Sequence, residues 1–349
     1  MNKGKLTYPE IAQQGEAIAK AWEQLQKQQD WVEKYVGNRK YDEVIFIGSG
    51  SSFYQAQTMA ATFRLWLGRP ASAWPSSDIF LFRDQSAAVG HKKLLVGVSR
   101  SGESTEVLLA LDSVKELKDW DTCGISCYED SGLAQRAECL ISPFGKEKST
   151  VMTKSFVSMT FMMQAAIAMA AGERCTREMK AVVQQAGRLI ADADQTAQQL
   201  INGNTFHKTV YLGMGSYFGL AQEACLKLKE MSYTWTESYG TLEFRHGPKS
   251  IIEPGSLVVL LLSESARSYE LKVAEEMKGY GAHVLVLTAR KGEDTAFADT
   301  VFEVGGAELS DEARAVLYMP LLHYVGFWTA VGKGVDPDEP RNLTQVVKI

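Results

Sequence analysis

Two loops rich in glycine and serine carry the residues best placed to hold an anion. Gly48-Ser49-Gly50-Ser51-Ser52 and Ser99-Arg100-Ser101-Gly102-Glu103-Ser104 each follow an apolar run and open a helical one. At such points backbone N–H groups and the positive end of the helix dipole converge on one spot. Small residues let an anion come close, and serine hydroxyls add donors. Ser51, Ser52, Ser99, Arg100, Ser101 and Ser104 are therefore candidates for gripping a phosphate monoester, with neither metal nor organic cofactor required. Serine and glycine also serve as plain helix caps, but two such loops in one domain favour the anion site. Neither loop has a GxGxxG spacing or a P-loop lysine, which argues against dinucleotides and nucleotides. Neither forms a nucleophile elbow with a credible downstream His and Asp.

A second constellation lies on Gln222-Glu223-Ala224-Cys225-Leu226-Lys227-Leu228-Lys229-Glu230. Glu223 and Lys227 are four apart and Lys227 and Glu230 three apart, so a helix puts all three on one face. Most such patterns are solvated salt-bridge faces. Here the helix follows a Gly-Ser strand end, where a cleft is expected, and Leu226 and Leu228 imply packing on both sides. A carboxylate held there can be tuned for proton transfer. Among the histidines, His246 in Glu243-Phe244-Arg245-His246-Gly247-Pro248-Lys249 has the most polar, turn-rich neighbourhood and is the best general acid or base. His91 reads as exposed, His207 precedes a strand, and His283 and His323 lie in apolar runs.

The elements that must position these residues come as a repeat. Val44-Ile45-Phe46-Ile47-Gly48-Ser49-Gly50-Ser51 is echoed about 165 residues later by Val210-Tyr211-Leu212-Gly213-Met214-Gly215-Ser216. At nearly the same offset, Leu94-Leu95-Val96-Gly97-Val98-Ser99-Arg100-Ser101 is echoed by Val258-Val259-Leu260-Leu261-Leu262-Ser263-Glu264-Ser265. Two pairs at one offset mark a duplicated domain. The spacing predicts strands at 44–47, 94–98, 124–126, 209–213, 258–262 and 283–287, and helices near 53–66, 103–116, 131–137, 217–233 and 266–279. Continuous apolar strands alternating with helices mean an α/β fold whose parallel sheets are covered on both faces, with ligands beyond the carboxyl ends of the strands. In the second copy Glu264 puts a carboxylate where a phosphate would sit, so one anion site per chain is expected. The expected organisation is a helical extension over 1–40, domains over 41–190 and 191–335 with a helical connector at 176–203, and a proline-containing tail over 336–349.

The 349 residues carry 37 Lys+Arg against 42 Asp+Glu, a formal charge of −5. No basic cluster suits a nucleic-acid backbone. The weakly polar stretch 156–171 is short for a membrane span and reads as a buried helix. The five cysteines are scattered, without zinc-ligand spacing, so no metal is expected. They suit a reducing compartment, and with no signal peptide in view a cytoplasmic location is expected.

These motifs, with Arg245-His246-Gly247-Pro248 and Pro340-Arg341-Asn342-Leu343, resemble the double sugar-isomerase (SIS) domain proteins: the isomerase half of glucosamine-6-phosphate synthase, the AgaS-type isomerase/deaminases and the fructosamine-6-phosphate deglycases. The similarity runs from about residue 40 to the end. The resemblance implies two tandem SIS domains, each a doubly wound parallel sheet. It implies that Ser52, Ser99, Ser101 and Ser104 hold a sugar 6-phosphate, with Arg100 where the synthase has glutamine. Glu230 would move a proton between C1 and C2 with Lys227 assisting, and His246 would serve ring opening or the hydroxyl protons. In relatives this histidine reaches the neighbouring subunit's site, implying a homodimer with shared sites. No glutaminase segment precedes residue 40, so glutamine-dependent amination is not expected of this chain alone. Gln345 stands where the synthase has its imine-forming lysine; Lys348, three residues on, is the other lysine near that point. Loss of the imine lysine fits a substrate that already carries nitrogen. The expectation is a deaminase or deglycase acting on an amino-sugar or fructosamine 6-phosphate by proton shift and imine hydrolysis. The alternatives are a plain aldose–ketose isomerase and a non-catalytic phosphosugar-binding regulator.

Overall fold

The computed structural model describes residues 3–347 and residue 349. It divides into two compact units that are not contiguous in sequence. One comprises Glu16–Lys148, Met152–Val183 and the described residues from Thr344 onward; the other comprises the described residues up to Gly15, with Ser149–Val151 and Gln184–Leu343.

The first unit is built on five parallel strands: β1 (Glu43–Gly48), β2 (Ala71–Pro75), β3 (Lys93–Val98), β4 (Trp120–Ser126) and β5 (Cys139–Ile141), in the spatial order β2-β1-β3-β4-β5. Alternation of side chains along β1 sends Ile45 and Ile47 to one face, where they meet Ile79 and the Val107, Ala110 and Leu111 stripe of the helix Thr105–Val114. Phe46 points the other way, onto Phe63 of the helix Ser51–Leu67. The helix Lys154–Ala171 packs on Ser51–Leu67 and is buried from Lys154 to Ala168, as the stretch 156–171 anticipates.

The second unit repeats this plan with β6 (Lys208–Gly213), β7 (Thr236–Tyr239), β8 (Ser256–Leu261), β9 (His283–Thr288) and β10 (Thr300–Glu303), in the order β10-β9-β8-β6-β7. Read from the corresponding end, this is the order of the first sheet. The duplication extends to single dihedrals. Gly50 (φ 58, ψ −129) and Gly215 (φ 57, ψ −127) adopt the same left-handed conformation at the entry to the helices Ser51–Leu67 and Ser216–Ser232. A Cβ on Gly48 would lie 2.3 Å from the backbone of Ser52, and one on Gly213 2.7 Å from Tyr217 O. Only glycine lets the strand end this close to the next helix.

Four strands escaped the sequence reading: β2, β5, β7 and β10. All are short edge strands of 3 to 5 residues, only partly buried, too short for a periodic pattern to stand out. Within the expected helical extension over 1–40, the helical pieces are Thr7–Ala12, Gln14–Leu25 and Gln29–Trp31, followed by a π-helical turn. The tail finds a purpose there. Asp338 accepts hydrogen bonds from the N–H groups of Leu6 (2.8 Å) and Thr7 (2.8 Å), and Asp336 from Gly4 N (2.9 Å), so side chains more than 300 residues away cap the first helix. Among the described residues one segment, Asp311–Gly332, is long and apolar enough to cross a membrane; 83% of its apolar window is buried inside the protein.

Candidate active site

β1 and β3 are neighbours in parallel register, Ile47 opposite Gly97, so both Gly/Ser loops leave the same edge of the first sheet. Ser51 and Ser52 open the helix Ser51–Leu67 and are buried. The second loop is tied by its own hydroxyls. Ser99 Oγ lies 3.2 Å from Ser104 Oγ and accepts from Gly102 N at 3.0 Å, while Ser101 Oγ accepts from Glu103 N at 3.1 Å. Arg100 O accepts from Cys127 N (3.1 Å) and Ser126 Oγ (3.2 Å), which anchors the loop to the end of β4. The Arg100 guanidinium lies 3.5 Å from the buried carboxylate of Glu147 and donates to Gln345 O at 3.1 Å. Glu147 also accepts from Thr153 N and Thr153 Oγ1, at 2.8 and 2.9 Å. The arginine's charge is therefore balanced within its unit. Gln345 Nε2 donates to Lys148 O at 3.1 Å. Lys348 lies outside the described residues.

The matching loop of the second unit is filled by the protein's own carboxylates. The N–H groups of Glu264 (2.9 Å) and Ser265 (3.0 Å) and Ser265 Oγ (2.6 Å) all donate to Asp311, while Ser263 N and Oγ donate to Glu270 at 2.8 and 2.9 Å. The occupant differs from the sequence expectation. The Glu264 side chain turns away to Arg267 (2.6 Å), and Asp311 fills the nest instead. Asp311 sits 164 residues after Glu147, the offset of the two loops themselves. In one copy the carboxylate closes the nest; in the other it turns to Thr153 and Arg100. Nothing in either motif revealed these two residues, although their common offset could have.

On the helix Ser216–Ser232 the predicted shared face is present and is not solvated. Glu223 and Lys227 are fully buried, and Glu230 keeps 16% of its side chain exposed. Lys227 Nζ lies 3.4 Å from Glu223 Oε1 and bonds Glu230 Oε2. Glu230 lines a cavity of about 470 Å³ together with Leu226, Tyr233, Trp235, Arg341 and Leu343. Arg341 stacks on the Tyr233 ring at 4.1 Å.

His323, which sequence reasoning left in an apolar run, belongs to this neighbourhood. It is fully buried, its Nδ1 is 2.9 Å from Gln14 Nε2, and its pKa is pushed well below the ordinary value by burial and then by the charge of Lys227. The imidazole is neutral at pH 7. No local pattern marks it, because tertiary packing alone brings residue 323 to residue 227. His246 follows the short turn Glu243–Arg245, pinned by the buried Phe244, and is exposed. Its neighbours Arg245 and Lys249 pair with Glu276 at 2.9 and 2.6 Å. The hydrogen bonds and ion pairs that join Lys227 to its carboxylates do not include His246. Among the described residues no group of three or more His, Cys, Asp or Glu side chains could hold a metal ion.

A duplicated parallel sheet with glycine–serine loops at its strand ends is the architecture of sugar-isomerase domains. The SIS domain family model matches residues 39–169 and 206–304, and the chain belongs to that family, with two tandem SIS domains. Glutamine–fructose-6-phosphate aminotransferase (isomerizing) of Brucella abortus is 29% identical over 324 residues, covering 89% of this chain and 52% of that protein. The chain thus spans about half the length of the curated relatives it matches. Glucosamine-6-phosphate deaminase from Thermotoga maritima is 29% identical with a TM-score of 0.74, covering 94% of this chain and 99% of that one. Tagatose-6-phosphate ketose/aldose isomerase from Escherichia coli shares the fold, with a TM-score of 0.87 at 21% identity over 97% and 96% of the two chains. The fold is of the phosphosugar isomerase/deaminase type.

Proposed function

We propose that this protein is a phosphosugar deaminase or deglycase, acting on an amino-sugar or fructosamine 6-phosphate. The observation that carries the reading is the Glu223–Lys227–Glu230 chain. It has two fully buried members, and its third carboxylate lies at a cavity. A buried ammonium holds Glu230 in place, and a positioned carboxylate is what a C1–C2 proton transfer needs. In this reading Ser51, Ser52, Ser99, Ser101 and Ser104 grip the phosphate with hydroxyls and amides. Arg100, balanced by Glu147, orders their loop.

Glu230 takes a proton from one of the two carbons and returns it to the other, so that the carbon–nitrogen single bond becomes an imine. Water adds to the imine carbon, and the amine or ammonia departs with the carbon–nitrogen bond pair and a proton. His246, exposed on its turn, supplies or accepts the hydroxyl protons, which fits a homodimer in which it serves the partner's site. Gln345, an amide in the place of an imine-forming lysine, supports a substrate that brings its own nitrogen. The free cysteines support a cytoplasmic location.

The test is amine or ammonia release from glucosamine 6-phosphate, galactosamine 6-phosphate and fructoselysine 6-phosphate. Release from one of them with production of a nitrogen-free sugar phosphate is expected. Conversion of nitrogen-free hexose phosphates alone would replace this reading with the simple isomerase.

A further inference from the structure

The Glu230 cavity offers more than a proton transfer needs. Among the described residues two that are not glycine hold a positive φ, Tyr233 (54°) and Asn342 (62°), and both line this cavity. Tyr233 ends the helix Ser216–Ser232 in the left-handed conformation, where glycine is the usual residue. Backbone strain of this kind persists where the surrounding structure enforces it, and it gathers at ligand sites. Here it sets an aromatic ring in place. Tyr233 Oη accepts from Arg341 N at 2.8 Å, and the Arg341 guanidinium lies over the Tyr233 ring at 4.1 Å. A guanidinium stacked on a ring keeps its N–H edge for a planar anion, which it can hold by two parallel hydrogen bonds. Lys229 adds a second cation to the lining, while the carboxylate there, Glu230, is already bonded by Lys227. Leu226, Trp235 and Leu343 supply the apolar part of the wall, and Trp235 is 77% exposed.

We infer that this cavity receives the amine half of the substrate and that the amine is an α-amino acid, its carboxylate on Arg341 and its apolar side chain against Trp235 and Leu343. The inference rests on the reading of Glu230 as the base that works at C1 and C2. In a ketosamine the nitrogen is bonded to C1, so its substituent falls in the cavity that Glu230 lines. Joined through its α-nitrogen, the amino acid keeps its carboxylate one carbon from the nitrogen, inside that same cavity. Ammonia has no group for Arg341 or for the indole, and an amine without a carboxylate reaches only the apolar part of the wall. Arg341 is thus a specificity residue, which selects the leaving group and takes no part in the proton transfer.

Isothermal titration of the wild-type chain with two unreactive ligands tests this: the C2-reduced (hexitol) forms of N-fructosylvaline 6-phosphate and of N-fructosyl-isobutylamine 6-phosphate, which differ only in the carboxylate. Without a carbonyl at C2 neither can turn over. The valine ligand should bind about tenfold or more tighter, as expected for hydrogen bonds between charged groups. Arg341→Gln should narrow that gap to about twofold or less, and Arg341→Lys should keep part of it. Equal affinities for the wild-type chain would overturn the inference whatever the variants do, and so would an undiminished gap in Arg341→Gln. Turnover separates the inference from the reading beneath it. Valine release from N-fructosylvaline 6-phosphate, at a higher kcat/KM than ammonia release from glucosamine 6-phosphate, supports both. Ammonia release from glucosamine 6-phosphate without any valine release overturns the amino-acid inference and leaves the deaminase standing. Preference for the valine ligand with no amine released from any substrate supports the carboxylate site and refutes the reaction.

Discussion

Lys227 is held between two carboxylates, one without access to water. Removing the ammonium would strand the Glu223 charge in the interior, and breaking a buried pair in this way costs about 3–5 kcal/mol. Lys227→Met should therefore lower the urea midpoint markedly, while Glu230→Gln, at the cavity, should change it little. For the proposed reaction the order reverses. Glu230→Gln should retain sugar-phosphate binding and lose about 10²–10⁴ in turnover; wild-type turnover in that variant would remove Glu230 from the role of base. His323 makes a pH prediction. Its folded pKa is depressed, so the unfolded chain binds the proton more readily. The stability it contributes is complete above its unfolded pKa of about 6.5 and is lost as pH falls from there toward the folded value. Denaturation midpoints measured between pH 7.5 and 5.5 should fall, by at most about 1.4 kcal/mol per pH unit from this group, and His323→Gln should flatten the slope. The i, i+3 and i+4 spacing made the carboxylate–lysine face legible in the sequence. Its burial and the histidine beside it were not, since both depend on the helix Met319–Gly332, almost a hundred residues downstream.

At the scale of elements, the strand-to-helix turns carry the most information. Gly213→Ala would drive a Cβ into the Tyr217 carbonyl, against backbone that cannot swing aside, whereas Gly215→Ala has open space but a left-handed φ of 57°. Thermal unfolding should register a loss of about 1–3 kcal/mol for either change. The Gly213 loss should be accompanied by displacement of the helix start, visible in the amide NMR shifts of Ser216 and Tyr217. These turns were readable because they need glycine at fixed places after an apolar run. The edge strands β2, β5, β7 and β10 were not, because a half-buried strand bordered on one side by a neighbour can be built from almost any residues. Asp311 and Glu147 escaped for a related reason. Each acts on a loop far from it in sequence, so no local pattern announces them.

For the whole molecule, duplication followed by divergence sets the stoichiometry. With Asp311 seated on the amides of Glu264 and Ser265, one sugar phosphate per chain is expected. Titration should give a single site, weakened about tenfold or more by Ser101→Ala through loss of a hydrogen bond to a charged group. The equivalent change Ser265→Ala should leave it untouched. A stoichiometry of two would refute the idea that the second nest is closed. Asp336 and Asp338, whose carboxylates grip the backbone of Gly4, Leu6 and Thr7, have a further consequence. Separations of 331 and 332 residues lie between these donors and their acceptors, so the cap can close only after all the chain between them has been made. The helix Thr7–Ala12 depends on that long-range contact, and refolding should show a slow closing step that Asp338→Ala abolishes.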